Sequence, residues 1–600
     1  MPFTYERKSI FATLPRTERA HALVLGSDPK GKTFLYTNDY SVFIRDIENP
    51  KICDVYCEHG YRASAAKYAP SGFYIASGDV SGRLRIWDTT QKEHILKYEH
   101  QPLSGKINDI CWSPDSKRIA VCGDGRDRFA AAILWDTGTS VGKLEANGKI
   151  CNAIDFKPTR PFRVVVASDD MTTAYYEGPP FKETKVLRDH TRFVHTTRYS
   201  PDGNFFATGG SDSKVFVYTG KEGDLSFELK DGENSHKGGV YSVCFSPDSS
   251  QLMTASADGT VKLWDVATQQ VVTTFVLGTT LEDQQLSCLW QGNYLLSSSL
   301  SGFINYLDKN NPEKPLRIIK GHNMNISALS LSSDKKTIYS CGLDQYRTHC
   351  WDADTGECEV ATGTPHKNMV TGMCTSDNMV VSVGMDDKIR FVDMEKQEYT
   401  DDVIGLDKQP LCVDTSGDLM AVGTVEGICL FRDKTQIATE KTTYEAKGVS
   451  LSPSGALLAV GGSDKKVHIF DVTAGELKEV DQLTTLDQVC AVQFSPSGEY
   501  VACVFGKRIQ FWTVEGFMPS KIQWSVHDSR ITSLAWSPDS KRIATAAMDG
   551  CIGVLDVIKP EDNNIIKAAH PKSVISSVAW RDNTTIVSAS HDKCIKQWSV

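Results

Sequence analysis

Four Trp-Asp dipeptides, Trp87-Asp88, Trp135-Asp136, Trp264-Asp265 and Trp351-Asp352, close short alternating runs such as RLRIWD and TVKLWD. Alternation at period two is the pattern of a half-buried strand, so each dipeptide marks a strand end. Weaker versions of the same ending fill the gaps between them. Taking the residue after the apolar or aromatic terminus, the series runs Asp46, Asp88, Asp136, Glu177, Thr219, Asp265, Asp308, Asp352, Asp393, Arg432, Asp471, Thr513, Asp556, Ser599. Thirteen intervals separate positions 46 and 599, a mean of about 42.5 residues, which matches the ~40–45-residue unit of a four-stranded propeller blade.

Two further signals share that period. Seven residues before the markers an acid recurs, as Asp39, Asp170, Asp212, Asp258, Asp386, Asp464, Asp549 and Asp592. In SADGTVKLWD it occupies a tight turn where Asp-Gly supplies hairpin geometry and the carboxylate accepts backbone N–H groups. Upstream of it, CWSPDSKRIA, YSPDGNFFAT, FSPDSSQLMT and WSPDSKRIAT read as strand, Ser-Pro-Asp turn, strand.

A lone blade cannot bury both faces, so blades stack radially until a ring closes, usually at four to eight. The chain therefore reads as all-β, with two tandem seven-bladed β-propellers whose blades have four antiparallel strands. The division falls near KNNPEKPLRIIKGHNMN, giving residues 16–319 and 320–600. The sequence stops at KQWSV, after the third strand of the last blade, while FTYERKSIFA near the start alternates. Residues 1–15 are thus expected to supply the closing strand of that blade and remove an exposed edge.

Composition agrees. At 600 residues the chain exceeds the roughly 250–300 that one core sustains. The formal charge is -10 and no basic run is present, which argues against a nucleic-acid partner. No apolar stretch has the length of a signal peptide or a membrane span, so a cytoplasmic, membrane-free protein is expected. The 17 cysteines are odd in number and irregular in spacing, with no CxxC pair; they read as reduced thiols rather than disulfides or zinc ligands.

Motifs that resemble catalytic signatures fall where the repeat wants turns. Gly26-Ser-Asp-Pro-Lys-Gly31-Lys32-Thr33 matches GxxxxGK[ST], but TFLYTNDYSVFIRD follows it, a strand pattern rather than the helix a phosphate loop requires. Gly138-Thr-Ser140-Val-Gly142 matches GxSxG but lies beyond a third strand with no helix behind it. His236, His322, His366, His527 and His570 precede first strands, where a His can bond the turn Asp and reach the third-strand Trp through a Ser or Thr. No cofactor, metal or catalytic residue is expected.

What remains is surface. Gly123-Asp-Gly-Arg126-Asp127-Arg128-Phe129 replaces a short turn with a longer charged loop, and the next repeat supplies Ser168-Asp169-Asp170 and Glu177-Gly-Pro-Pro-Phe181-Lys182. Loops on a rigid scaffold gather binding residues, and Phe181 after two prolines would be a fixed apolar contact. By this reading the partner-binding candidates are Arg126, Asp127, Arg128, Asp169 and Phe181. Physics alone leaves open a non-enzymatic scaffold of another multiprotein complex (ubiquitin ligase, coat or RNA-processing type).

The repeats together with GDGRDRF, SDDMTTAYYEGPPFK, RFVHTTRYSPDG and GTTLEDQQL resemble the actin-interacting protein 1 family of cofilin cofactors, over essentially the whole chain. That resemblance implies a non-enzymatic monomer that binds actin filaments decorated with cofilin (ADF), promotes their severing and caps barbed ends. It also implies that Asp127 and Asp169 stand where the family places acids needed for disassembly. Glu183 departs from relatives that carry a second aromatic there, while Phe181 is retained.

Overall fold

The computed structural model describes residues 5–520, 524–559 and 563–600. Their strands form fourteen antiparallel sheets among the described residues, which we number blades 1 to 14 along the chain. Within a blade, consecutive strands pair in chain order from the inside outwards. The last blade is the exception: strand Glu6–Phe11 pairs with Ile595–Ser599, so its outer strand comes from the start of the chain. Phe11 then stacks on Trp351 with ring centroids 5.5 Å apart.

Two compact units result. One spans Leu14–Asn323; the other joins the residues up to Thr13 to Met324–Val600. The first runs on to Asn323 because Leu14 N–H bonds the His322 carbonyl (2.8 Å) and Asn323 Nδ2 bonds the Ser301 carbonyl (2.9 Å). Each unit is a closed seven-bladed propeller. Blade 7 meets blade 1 through Leu23 N–H to the Leu286 carbonyl (3.2 Å) and Gln291 Nε2 to the Thr33 carbonyl (2.8 Å). Blade 14 meets blade 8 through Gln597 Nε2 to the Ala353 carbonyl (2.6 Å).

The hydrophobic pattern of each strand follows from its depth in the blade. Second strands lie between neighbouring blades and are buried on both faces, as with Ile119, Ala120, Val121 and Cys122. Fourth strands face water and carry the charges, as in Leu96–His100 (LKYEH) and Thr435–Lys441 (TQIATEK). Blade 3 lacks a regular fourth strand, which corrects the expectation of four in each. In blade 3 the outer segment bonds only through single bridges, because Gly138 and Gly142 at φ +70 and +152 break its extended run. In blade 12 the described residues of the outer segment pair with the third strand, Ser520 N–H bonding the Phe511 carbonyl (2.9 Å) and Ile509 N–H the Trp524 carbonyl (3.1 Å).

Thirteen first strands begin with a bulge, and its extra residue is used repeatedly to stitch blades together. Ser64, Asn108, Asn152, Thr371 and Thr532 each donate to the first carbonyl of the next blade's inner strand. Further along these strands the first unit carries a buried ion network. Arg198 of blade 5 places Nη1 2.7 Å from Asp109 Oδ2 of blade 3, and Lys67 of blade 2 lies 3.7 Å from the other oxygen. Ile154 N–H also donates to Asp109 (3.1 Å), and Tyr199 N–H donates to Asp155 (2.8 Å).

Candidate functional site: the turn face of the first unit

In twelve blades an amide of the connection between the second and third strands is fastened to the loop entering the same blade. Val80 N–H donates to the Arg62 carbonyl (2.9 Å), Asp124 to Lys106 (2.8 Å), Asp169 to Ile150 (2.9 Å) and Ser211 to Phe193 (2.8 Å). Turns and entering loops therefore share one face of the propeller, and the charged segments of blades 3 and 4 lie on it.

In blade 3 the loop is held at its base and free at its tip. Gly123 N–H bonds the Phe129 carbonyl (2.8 Å) and Arg126 N–H bonds Ser104 Oγ (2.9 Å). A Cβ on Gly125 would come within 1.9 Å of the Arg128 carbonyl oxygen, so this fold of the loop requires glycine there. The side chains of Arg126, Asp127 and Arg128 are exposed. In blade 4 the adjacent acids divide their work. Asp170 accepts from Thr172 N–H (2.9 Å) and Gly148 N–H (3.0 Å) and is the turn-forming residue. Asp169 is half-buried and accepts from Asn152 Nδ2 (2.7 Å), the bulge residue that also reaches the Val194 carbonyl of blade 5.

Phe181 is corrected by the structure. It is 1% exposed, packs edge-on against Phe156 at 5.6 Å and belongs to a core with Val164, Val166 and Tyr176. Its backbone closes the weak outer edge of blade 3: Phe181 N–H bonds the Val141 carbonyl (2.9 Å) and its own carbonyl accepts from Lys143 N–H (3.2 Å). An aromatic at that edge gains more by filling the gap between two blades than by facing water. Glu183, two residues on, is exposed.

The residues with catalytic-looking motifs serve the fold. The carboxylate of Asp28 accepts from the amides of Lys30 (2.9 Å), Lys32 (3.2 Å) and Thr33 (3.3 Å), so the N–H groups a phosphate would need are already turned onto an anion. Ser140 Oγ donates to the Gly142 carbonyl (3.0 Å). Four of the five blade-entry histidines, His236, His366, His527 and His570, form hubs as their positions suggest. His236 bonds Asp258 (2.9 Å) and Thr254 (2.7 Å), and Trp264 Nε1 donates to the same Thr254 hydroxyl (3.0 Å). His570, Asp592, Ser588 and Trp598 repeat this in blade 14, while blades 9 and 13 keep the His, Asp and hydroxyl without the Trp. Burial pushes the imidazoles of His236, His366, His527 and His570 down against the pull of their aspartates, and Asp258 and Asp592 are held well below the usual carboxylate range despite burial by those same histidines.

The sequence pattern did not single out the exposed apolar residues on the same face. Tyr61 and Phe193 are 53% and 47% exposed and stand beside Arg62 and Arg192. A signal for them exists: both lie in the loop just before a first strand, at YRASA and RFVHT, where the repeat register puts the face.

Comparison with known proteins places this architecture among relatives. The WD domain, G-beta repeat family is matched at residues 51–88, 92–129, 181–219, 229–265, 313–346, 519–556 and 564–599. The Anaphase-promoting complex subunit 4 WD40 domain is matched at 411–497. The chain is 45% identical over 603 residues to actin-interacting protein 1 of Drosophila melanogaster, covering 100% of this chain and 99% of that protein. It is 45% identical over 609 residues to WD repeat-containing protein 1 of Gallus gallus, covering 100% of both, and 45% identical over 604 residues to that of Mus musculus, covering 99% of both.

Proposed function

Because the chain belongs to the family of actin-interacting protein 1 and WD repeat-containing protein 1, we propose that it is a non-enzymatic regulator of actin filaments. On this reading it acts as a monomer in the cytoplasm, on the actin cytoskeleton. It binds filaments decorated with cofilin, promotes their severing and disassembly, and caps the barbed ends exposed. The observation that carries the reading is 45% identity, over the full length of the chain, to a protein named for its interaction with actin.

The turn face of blades 3 and 4 suits the contact. Arg126, Asp127 and Arg128 present both signs of charge on a loop whose base is fixed by four backbone or glycine constraints, so little ordering entropy opposes binding. Asp169 is held in place by Asn152 while keeping exposed surface. To promote severing, the protein must bind the decorated and fragmented state more tightly than the intact filament. A chain of charge -10 gains little long-range attraction to a bare acidic filament, so cofilin supplies the complementary surface. Among the described residues no helix is long and apolar enough to cross a membrane.

The test is cosedimentation and single-filament microscopy with and without cofilin. Strong binding and faster severing only on decorated filaments are expected, with Asp127→Ala/Asp169→Ala weakened in both. Equal binding to bare and decorated filaments would overturn the cofilin dependence, and no binding to either would overturn the reading as a whole.

A further inference from the structure

The first strands of the two propellers share one register, and the same positions carry different charges. In the first unit Lys67, Asp155 and Arg198 each lie four residues past the first paired residue of their strand, in blades 2, 4 and 5. The matching positions of blades 8, 10 and 11 are Ser330, Asp414 and Ser450. The acid is present in both, and so is its bond to the next blade: Tyr199 N–H donates to Asp155 (2.8 Å) and Leu451 N–H to Asp414 (2.9 Å). In the blade before, Cys111 corresponds to Cys374 and Asp109 to Gly372. The second propeller therefore carries the acid and the thiol, with serines in place of both cations.

In the first unit those cations brace the carboxylates. Arg198 lies 2.7 Å from Asp109, and Arg198 and Lys67 both pull against burial at Asp155. Asp414 has no such brace: it forms no ion pair among the described residues, and hydrogen bonds alone oppose its burial. Two lysines line the same channel, and the charge of neither acts on Asp414. Lys447 bonds Gln488 Oε1 (3.0 Å) and pairs with Glu445 (3.4 Å). Lys335 belongs to the turn between the first two strands of blade 8, where its N–H bonds the Ser332 carbonyl (3.0 Å).

The exchange leaves a channel of about 680 Å³, lined by the first strands of all seven blades and touching Ser330, Cys374, Asp414 and Ser450. That volume lies within the range of about 300–1,000 Å³ that holds small ligands. A carboxylate withdrawn from bulk water without a counter-charge costs free energy, and a cation seated against it recovers the cost. A guanidinium or ammonium group has N–H donors to spare for the flanking serine hydroxyls, which accept.

We propose that the channel of the second propeller is a binding site for an organic cation, a guanidinium or alkylammonium group that pairs with Asp414 between Ser330 and Ser450. The ligand does there what Lys67 and Arg198 do from within the chain in the first propeller. Its cationic group is carried by a free small molecule or by an arginine side chain of a partner.

The experiment is titration calorimetry on the full chain near neutral pH, with agmatine, its uncharged counterpart butylurea, and a short glycine peptide with a central arginine. Wild type, Asp414→Asn and Ser330→Lys are compared, with thermal unfolding as the folding control. Saturable binding of agmatine or the peptide to wild type is expected, with none of butylurea. Asp414→Asn is expected to weaken binding by about tenfold or more, the loss of a charge-assisted pair. Ser330→Lys places a cation where blade 2 has Lys67 and is expected to remove binding. Agmatine binding without the peptide assigns a free cation, and tighter peptide binding assigns a partner's side chain; both sustain the site. No binding of either cation, equal binding of butylurea, or unchanged affinity in Asp414→Asn overturns it. Should Ser330→Lys fail to fold, Asp414→Asn decides alone.

Discussion

Two inner-strand carboxylates, Asp109 of the first propeller and Asp414 of the second, are handled in opposite ways. In the first, burial would raise the Asp109 carboxyl, but Arg198 and Lys67 outweigh it and hold the group below its ordinary value. In the second, Asp414 of blade 10 faces a channel of about 680 Å³ among Cys374, Cys412 and Ser450, and accepts from Leu451 and Thr415 amides (2.9 Å each). No ion pair to it is present among the described residues, and burial pushes its carboxyl up to about 6 against those amides. One fold thus tolerates a buried carboxylate by two routes: a cation from a neighbouring blade, or a shift toward the neutral acid.

The contrast can be broken most severely at Arg198. Arg198→Met strands Asp109 without its main cation and is expected to destabilise blades 2–5 by about 3–5 kcal/mol, read as faster amide exchange there than in the second propeller. Equal exchange in wild type and variant would show that the network contributes nothing.

Asp414 has the opposite sign. Its folded value lies above its unfolded one, so the native state binds the extra proton between about pH 4 and pH 6, and stability falls as pH rises through that window. Asp414→Asn is expected to stabilise the second propeller by about 1–3 kcal/mol at pH 8 and by almost nothing at pH 4, with channel water trimming the larger figure. Thermal unfolding at the two pH values measures it; a gain independent of pH would assign the effect to packing.

The hydroxyl hubs offer a smaller and graded comparison. Thr254 in the first propeller serves both His236 and Trp264, whereas Thr545 in the second serves His527 without a tryptophan. Thr254→Val leaves two buried groups unpaired and is expected to cost about 2 kcal/mol, against about 1 for Thr545→Val, by denaturant unfolding. The smallest effect on stability is expected from Asp127→Ala/Asp169→Ala, about 0.5–1 kcal/mol and all of it from the Asp169 bond to Asn152, although filament disassembly should suffer most.

Much of the fold is legible in the amino-acid sequence. The turn acids Asp170, Asp212, Asp258, Asp549 and Asp592, the Ser-Pro-Asp turns and four of the five blade-entry histidines are short-range features that do in space what their spacing implies: Ser113 Oγ, for instance, accepts from Arg118 N–H at 2.9 Å around its turn. The surface is harder to read. Phe181 has the pattern of a contact because it follows two prolines in a charged stretch, but its fate depends on the irregular edge of blade 3, some 40 residues earlier in the chain. Tyr61 and Phe193 do not stand out because an apolar residue beside a strand resembles core until the face it lies on is known.

The sequence by itself determined the number of blades, their period and the family, because a repeat writes the same local pairing rules into every blade. Only the tertiary structure decided which charges are spent and which are free. Asp109 meets Arg198 across 89 positions and Gln291 meets Thr33 across 258. Whether a carboxylate is braced, protonated or offered to a partner depends on what a neighbouring blade places beside it, and ring closure brings those neighbours together from distant parts of the chain.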